Sequence, residues 1–268
     1  MRRARAALRL GRAVVHGLHG LGLVLFVFPR LDERERQARI RWWSLELLRS
    51  LGIALETHGE PADGGSLLAA NHVSWLDIMA IHAVVPAARF VSKADVKAWP
   101  LVSRLVDSAG TLYLERDRKR DALRVVHAMA AAQRQGQTVA IFAEGTTATG
   151  HGLLPFHANL LQAAISTATP VQPLALRFSD ATHAVSLAAE FVGNTSLLQS
   201  LWQTAGGEGL VVRLVFLPPV PSAGVERREL AERLRREIGA ALESTQPTAR
   251  PELATDAAAL ATTAASPR

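Results

Sequence analysis

Seven short runs of apolar and β-branched residues, at 53–57, 66–70, 88–92, 111–114, 138–142, 171–176 and 210–217, alternate with stretches that carry a helical period. That alternation restricts the chain to a sheet covered by helices. The unbroken apolarity of Thr138-Val139-Ala140-Ile141-Phe142 marks a strand buried on both faces. Pro173 interrupts the sixth run, and since proline cannot donate to a ladder, this strand is expected at a sheet edge or around a bulge. Helical periods occupy 75–84, 121–135, 158–168, 195–204 and 226–243. Within 121–135, Leu123, Val126, His127 and Ala130 share a stripe, which puts His127 along a packed face.

With 268 residues the chain is long enough for one sizeable α/β core plus appendages, without disulfide or metal staples. It contains no cysteine, which removes disulfides, thiolate metal sites and a cysteine nucleophile. The net charge is +6, and only Lys93, Lys97 and Lys119 of the thirty basic residues are lysines. Arginine-rich basicity suits anionic lipid or an anionic substrate, and nothing in the chain resembles a nucleic-acid-binding motif.

The ends differ in character from the middle. Arg2, Arg3, Arg5, Arg9 and Arg12 precede an apolar run at 13–28 that is shorter than the roughly 20 residues of a comfortable spanning helix. Arg30, Arg34, Arg36, Arg39 and Arg41 follow it, so flanking charge sets no orientation. Residues 33–51 form a second helix with Ile40, Trp43, Leu47 and Leu51 on one stripe. Together these are expected to be a membrane-associated helical hairpin, 1–51, dipping into one leaflet. The catalytic domain is expected at 52–244. Residues 245–268, rich in Ala, Thr and Pro and without a period, read as a disordered tail.

The chemistry centres on Asn71-His72-Val73-Ser74-Trp75-Leu76-Asp77, where a strand gives way to a helix. An aspartate on the first helical turn can reach back to one ring nitrogen of His72, fix its tautomer and leave the other nitrogen as a base. Two other readings stand beside this one. Ser74-x-x-Asp77 fits a capping box, and His58-x4-Asp63 repeats the spacing in a Gly/Pro turn with no following helix. Gly-x-Ser-x-Gly, His-Glu-x-x-His and P-loop signatures are absent, so the base has no protein nucleophile to serve.

Three further stretches follow in order: Gly110-Thr111-Leu112-Tyr113-Leu114-Glu115-Arg116, Phe142-Ala143-Glu144-Gly145-Thr146-Thr147 with Leu154-Pro155-Phe156, and Pro170-Val171-Gln172-Pro173-Leu174-Ala175-Leu176. With the His72 stretch, they give residues 50–220 a resemblance to the 1-acylglycerol-3-phosphate acyltransferase family. The resemblance implies an α/β fold with a mixed, mostly parallel sheet flanked by helices. It implies acyl transfer by His72 and Asp77, and acceptor binding by Arg116 and by the turn Glu144, Gly145, Thr146 and Thr147. It also implies a thioester co-substrate, acyl-CoA or acyl carrier protein, with no cofactor or metal, at the cytoplasmic face of a bacterial inner membrane. Lysophosphatidic acid is the implied acceptor.

The chain departs from the family where that acceptor would sit. The usual Phe-Pro-Glu-Gly-Thr-Arg has become Phe-Ala-Glu-Gly-Thr-Thr, and His157 and Asn159 stand where Lys and Gly are common. Loss of the arginine at 147 removes a bidentate phosphate partner, opening the site to a less anionic lysolipid such as lyso-ornithine lipid. A thioesterase, using the same base on water, and a non-catalytic lipid-binding protein are the other classes left open.

Overall fold

In the computed structural model, which describes residues 2–93, 96, 100–114 and 119–244, the seven runs become one sheet. Its strands are β1 (Ile53–His58), β2 (Leu67–Ala70), β3 (Arg89–Lys93), β4 (Leu112–Leu114), β5 (Val139–Phe142), β6 (Val171–Ser179) and β7 (Leu210–Phe216), in the order β1-β7-β6-β2-β5-β3-β4. Neighbours are parallel except β6 and β7, so the sheet is mixed and mostly parallel. The antiparallel pairing of β6 with β7 also sets β1 and β7 against the direction of the other five.

Among the described residues, eight α-helices cover it: α1 (Arg2–Gly22), α2 (Glu33–Leu51), α3 (Leu76–Val84), α4 (Pro100–Ser108), α5 (Lys119–Arg134), α6 (Gln162–Thr167), α7 (Leu197–Gly206) and α8 (Arg227–Ser244). Side chains alternate across a strand, and β2 shows the consequence. Leu68 and Ala70 enter a core shared with α1, α2, α3 and α7, while Leu67 and Ala69 enter one shared with α5, α6 and α8. Both faces of the central strands are therefore buried, which is why these runs are continuously apolar.

Pro173 does not lie at an edge. It sits inside β6, between β7 and β2, and the strand continues through it. The register explains the tolerance. Leu174 pairs with Phe216, so Pro173 faces Leu217, whose N–H donates to the Pro173 carbonyl at 3.0 Å. Proline cannot return the second bond of that pair, and Nε2 of Gln172 donates to the Leu217 carbonyl instead, at 3.0 Å. A neighbouring side chain supplies the missing donor.

The N-terminal helical pair is present, with two differences from the sequence expectation. The helical run extends over Arg3–Arg30, 28 residues, long and apolar enough to cross a membrane by length and composition. It also packs along the domain. Ala6 and Ala13 are buried, Gly20 seats the Trp43 ring, and Arg9 donates to the carbonyls of Ala205 and Gly207. α2 starts on an Asp32–Glu35 capping box and stops at Gly52, whose φ of 81° suits glycine. Its Leu47, Leu48 and Leu51 belong to the same core as β2 and β6, so α2 is built into the sheet's covering layer. His127 is exposed rather than packed, because α5 turns Val125, Val126, Met129 and Ala130 inward. The expected tail at 245–268 lies outside the described residues.

Candidate active site

The site follows from the pairing of β2 with β5. The two strands are parallel, with Ala70 opposite Phe142. Two residues beyond each, the chain places His72 beside Glu144, although 72 positions separate them, and the His72 N–H donates to Glu144 Oε1 at 2.9 Å. On the other side of β2, Asn71 replaces ladder bonds with its side chain: Nδ2 donates to the Leu176 carbonyl at 2.9 Å and Oδ1 accepts from the Leu176 N–H at 2.8 Å. This clamp holds the strand end against β6 while the backbone turns away. The His72 carbonyl accepts from Ala148 N–H at 2.8 Å, so both sides of its peptide are held.

The chain turns into α3 immediately afterwards, and its first turn carries Asp77, fully buried. Oδ2 of Asp77 accepts three hydrogen bonds, from His72 Nδ1 at 2.8 Å, Val73 N–H at 2.7 Å and Ser74 N–H at 3.0 Å. The same oxygen therefore orients the imidazole and satisfies the entrance to the helix. Only half of a capping box is present, since the Ser74 hydroxyl is buried without a partner among the described residues. With Nδ1–H directed at Asp77, Nε2 is the nitrogen left to accept a proton, on a side chain 17% exposed. The imidazole also lies flat on Phe142, with centroids 3.8 Å apart and planes 7° from parallel.

Glu144 is buried, and its second oxygen accepts from Leu154 N–H at 2.8 Å. Burial raises its pKa, opposed by the hydrogen bonds from Leu154 and His72. Both its oxygens thus serve backbone, bracing the His72 turn against the 148–157 loop. Gly145 follows with φ 67°, a turn a side chain would strain. Thr146 is exposed, and the Thr147 hydroxyl donates to the Phe191 carbonyl. The structure thus brings His72, Asp77, Glu144, Gly145, Thr146 and Thr147 to one edge of the sheet. Arg116 and Lys97 lie outside the described residues. His58 ends β1, which runs against β2, so the decoy pair sits at the opposite edge and is exposed. Among the described residues, no group of three His, Cys, Asp or Glu side chains is placed to hold a metal ion.

Residues 54–177 match the acyltransferase family model. The chain is 36% identical to the lyso-ornithine lipid O-acyltransferase of Pseudomonas aeruginosa over 247 residues, 89% of this chain and 95% of that one. The chain belongs to the acyltransferase family. It is also 37% identical to the 1-acyl-sn-glycerol-3-phosphate acyltransferase of Neisseria meningitidis, over 68% of this chain and 71% of that one. Its fold is that of the crystal structure of the Thermotoga maritima 1-acyl-sn-glycerophosphate acyltransferase, with a TM-score of 0.72 at 21% identity, covering 94% of this chain and 99% of that one. In this acyltransferase the Asn71 clamp and the stacking of Phe142 lie outside the sequence expectations. The only sequence signal for either was position, Asn71 beside the histidine and Phe142 two residues before the acid.

Proposed function

We propose that this acyltransferase moves a fatty acyl group from acyl-CoA or acyl carrier protein to the free hydroxyl of a lysolipid, with His72 as base. Nε2 of His72 takes the hydroxyl proton as the oxygen attacks the thioester carbonyl. A C–O bond forms, the C–S bond breaks, and the proton passes to the departing thiolate. Asp77 holds the tautomer and supports the imidazolium that forms between these steps. The observation that carries the reading is the His72–Asp77 bond of 2.8 Å at the carboxyl edge of the parallel strands, the edge where open α/β sheets bind ligands. Release of thiol that depends on the lysolipid distinguishes transfer from thioester hydrolysis; acceptor-independent release would overturn transfer.

The acceptor that the turn after β5 favours is one without a phosphate monoester, such as lyso-ornithine lipid. Thr147 stands where an arginine would grip phosphate, and its hydroxyl is engaged by Phe191. The Pseudomonas aeruginosa relative, covered over 95% of its length at 36% identity, carries the lyso-ornithine name. Lysophosphatidic acid, named for the neisserial relative, is the second reading, with Arg116 as its phosphate partner. The test is kcat/KM for both acceptors in wild type and in Thr147→Arg. A charged hydrogen bond of about 1.5–3 kcal/mol should raise use of lysophosphatidic acid by roughly ten- to a hundredfold in the variant. Wild type preferring lysophosphatidic acid, with no gain from the arginine, would overturn this choice.

The protein is proposed to lie on the cytoplasmic face of a bacterial inner membrane. Leu8, Val15, Leu18, Leu25 and Phe26 are exposed along the outer side of the N-terminal helix, with arginines at both ends, while its inner side packs on the domain. A helix held along its length by protein suits burial in one leaflet.

A further inference from the structure

We infer that Phe142 is a positioning residue for His72, holding the plane of the imidazole in which the proton is taken up. This rests on the reading of His72 as the base. A ring attached through Cβ and hydrogen-bonded at Nδ1 is fixed at two points, and it can still tilt about the line joining them. The third constraint is a surface. Phe142 provides it, with its ring 3.8 Å from the imidazole and 7° from parallel. Phe142 is itself backed by Phe90, which is buried, at 5.6 Å and 24°. The strand register underlies this arrangement: Phe142 is opposite Ala70, two residues before His72. An aromatic face does a second thing that an aliphatic side chain cannot. As Nε2 takes the proton the imidazole becomes a cation over a π-face, an attraction that grows during the step and so favours the transition state over the ground state.

The experiment uses the full chain in detergent and follows kcat, KM for donor and acceptor, and melting temperature. In Phe142→Leu, kcat should fall about tenfold or more while both KM values stay within about threefold. Phe142→Tyr and Phe142→Trp should recover most of kcat, since each restores a π-face. A kcat within twofold of wild type in the leucine variant, a loss carried in KM, a change of acyl-chain preference with kcat retained, or a tyrosine variant no better than leucine would each overturn the inference. Should Phe142→Leu fold poorly, Phe142→Tyr against Phe142→Met at matched melting temperature makes the same comparison. Residual rates in a His72→Ala background separate this inference from the reading it rests on. If His72→Ala alone leaves activity intact, the base assignment fails. If His72→Ala cuts turnover to a small residual rate and Phe142→Leu still lowers that rate by the same factor as in wild type, Phe142 acts elsewhere and only the positioning role fails.

Discussion

Asp77 collects three hydrogen bonds on one oxygen, and each prediction at this residue follows from which of them a substitution keeps. Asp77→Asn retains an oxygen for the two backbone N–H groups but loses the charge that supports an imidazolium. Its kcat should fall by about two orders of magnitude or more, with the melting temperature little changed. Asp77→Ala leaves both backbone donors buried and unpaired, costing about 1–3 kcal/mol apiece, so calorimetry should separate it clearly from the asparagine variant. Glu144 is expected to act differently from a substrate ligand. Both its oxygens accept from backbone N–H groups, and in Glu144→Gln one of those donors would meet an amide NH2. The expected result is a lower melting temperature and a lower kcat, with KM for the acceptor unchanged. A rise in KM alone would return Glu144 to direct acceptor binding. His58→Ala should be silent, because that histidine stands at the far edge of the sheet.

At the scale of elements, α3 is held to β3 partly by His82, which is buried with its ring edge-on to Phe90 at 4.9 Å. Burial lowers its pKa from 6.5 to about 4, so the folded protein keeps the ring neutral where the unfolded chain would protonate it. The stabilisation is complete above about pH 6.5 and disappears as pH falls to about 4, worth roughly 3 kcal/mol across that window. Melting temperatures measured from pH 7 to 4 should drop more steeply in wild type than in His82→Leu; parallel curves would show that His82 plays no part in acid unfolding. The α1–α2 contact has its own weak point. Trp43 donates from Nε1 to the His16 carbonyl and stacks on the His16 ring, and a Cβ at Gly20 would stand 2.3 Å from that Nε1. Gly20→Ala should therefore cost about 1–3 kcal/mol despite alanine's better helix propensity, read as a lower midpoint in urea.

For the molecule as a whole, the outer side of the N-terminal helical run presents an apolar stripe, Leu8, Val15, Leu18, Leu25 and Phe26, that is left exposed. α2 shares its core with the sheet, so removing residues 1–51 would damage the domain and would test stability together with membrane binding. Point changes on the outward stripe isolate the second. Val15→Ser, Leu18→Ser and Phe26→Ser together should lower sedimentation with anionic vesicles several-fold and leave turnover of detergent-dispersed substrate near wild type. High salt alone should not release the native protein, since buried apolar area survives charge screening. Unchanged sedimentation of the triple variant would place the membrane contact elsewhere.

The strands, most helices and the His72–Asp77 pair were legible because each is local. Continuous apolarity marks a strand buried on both faces, a three-to-four-residue period marks a helix face, and a carboxylate on the first turn after a strand can reach back five residues. What the sequence could not decide depends on pairing between distant segments. The β2–β5 register sets His72 beside Glu144 and on Phe142, and makes Glu144 a brace for two backbone turns, a role its place in the sequence does not announce. The side-chain amide of Gln172 lets a proline sit in an interior strand, against the edge position that its missing N–H suggests. His127 and His58 were separable from His72 in function, yet their exposure and place came only from helix rotation and strand direction. Composition and period report what one segment must bury; which segment buries it, and which ring or N–H it then meets, is settled only when the sheet closes its register.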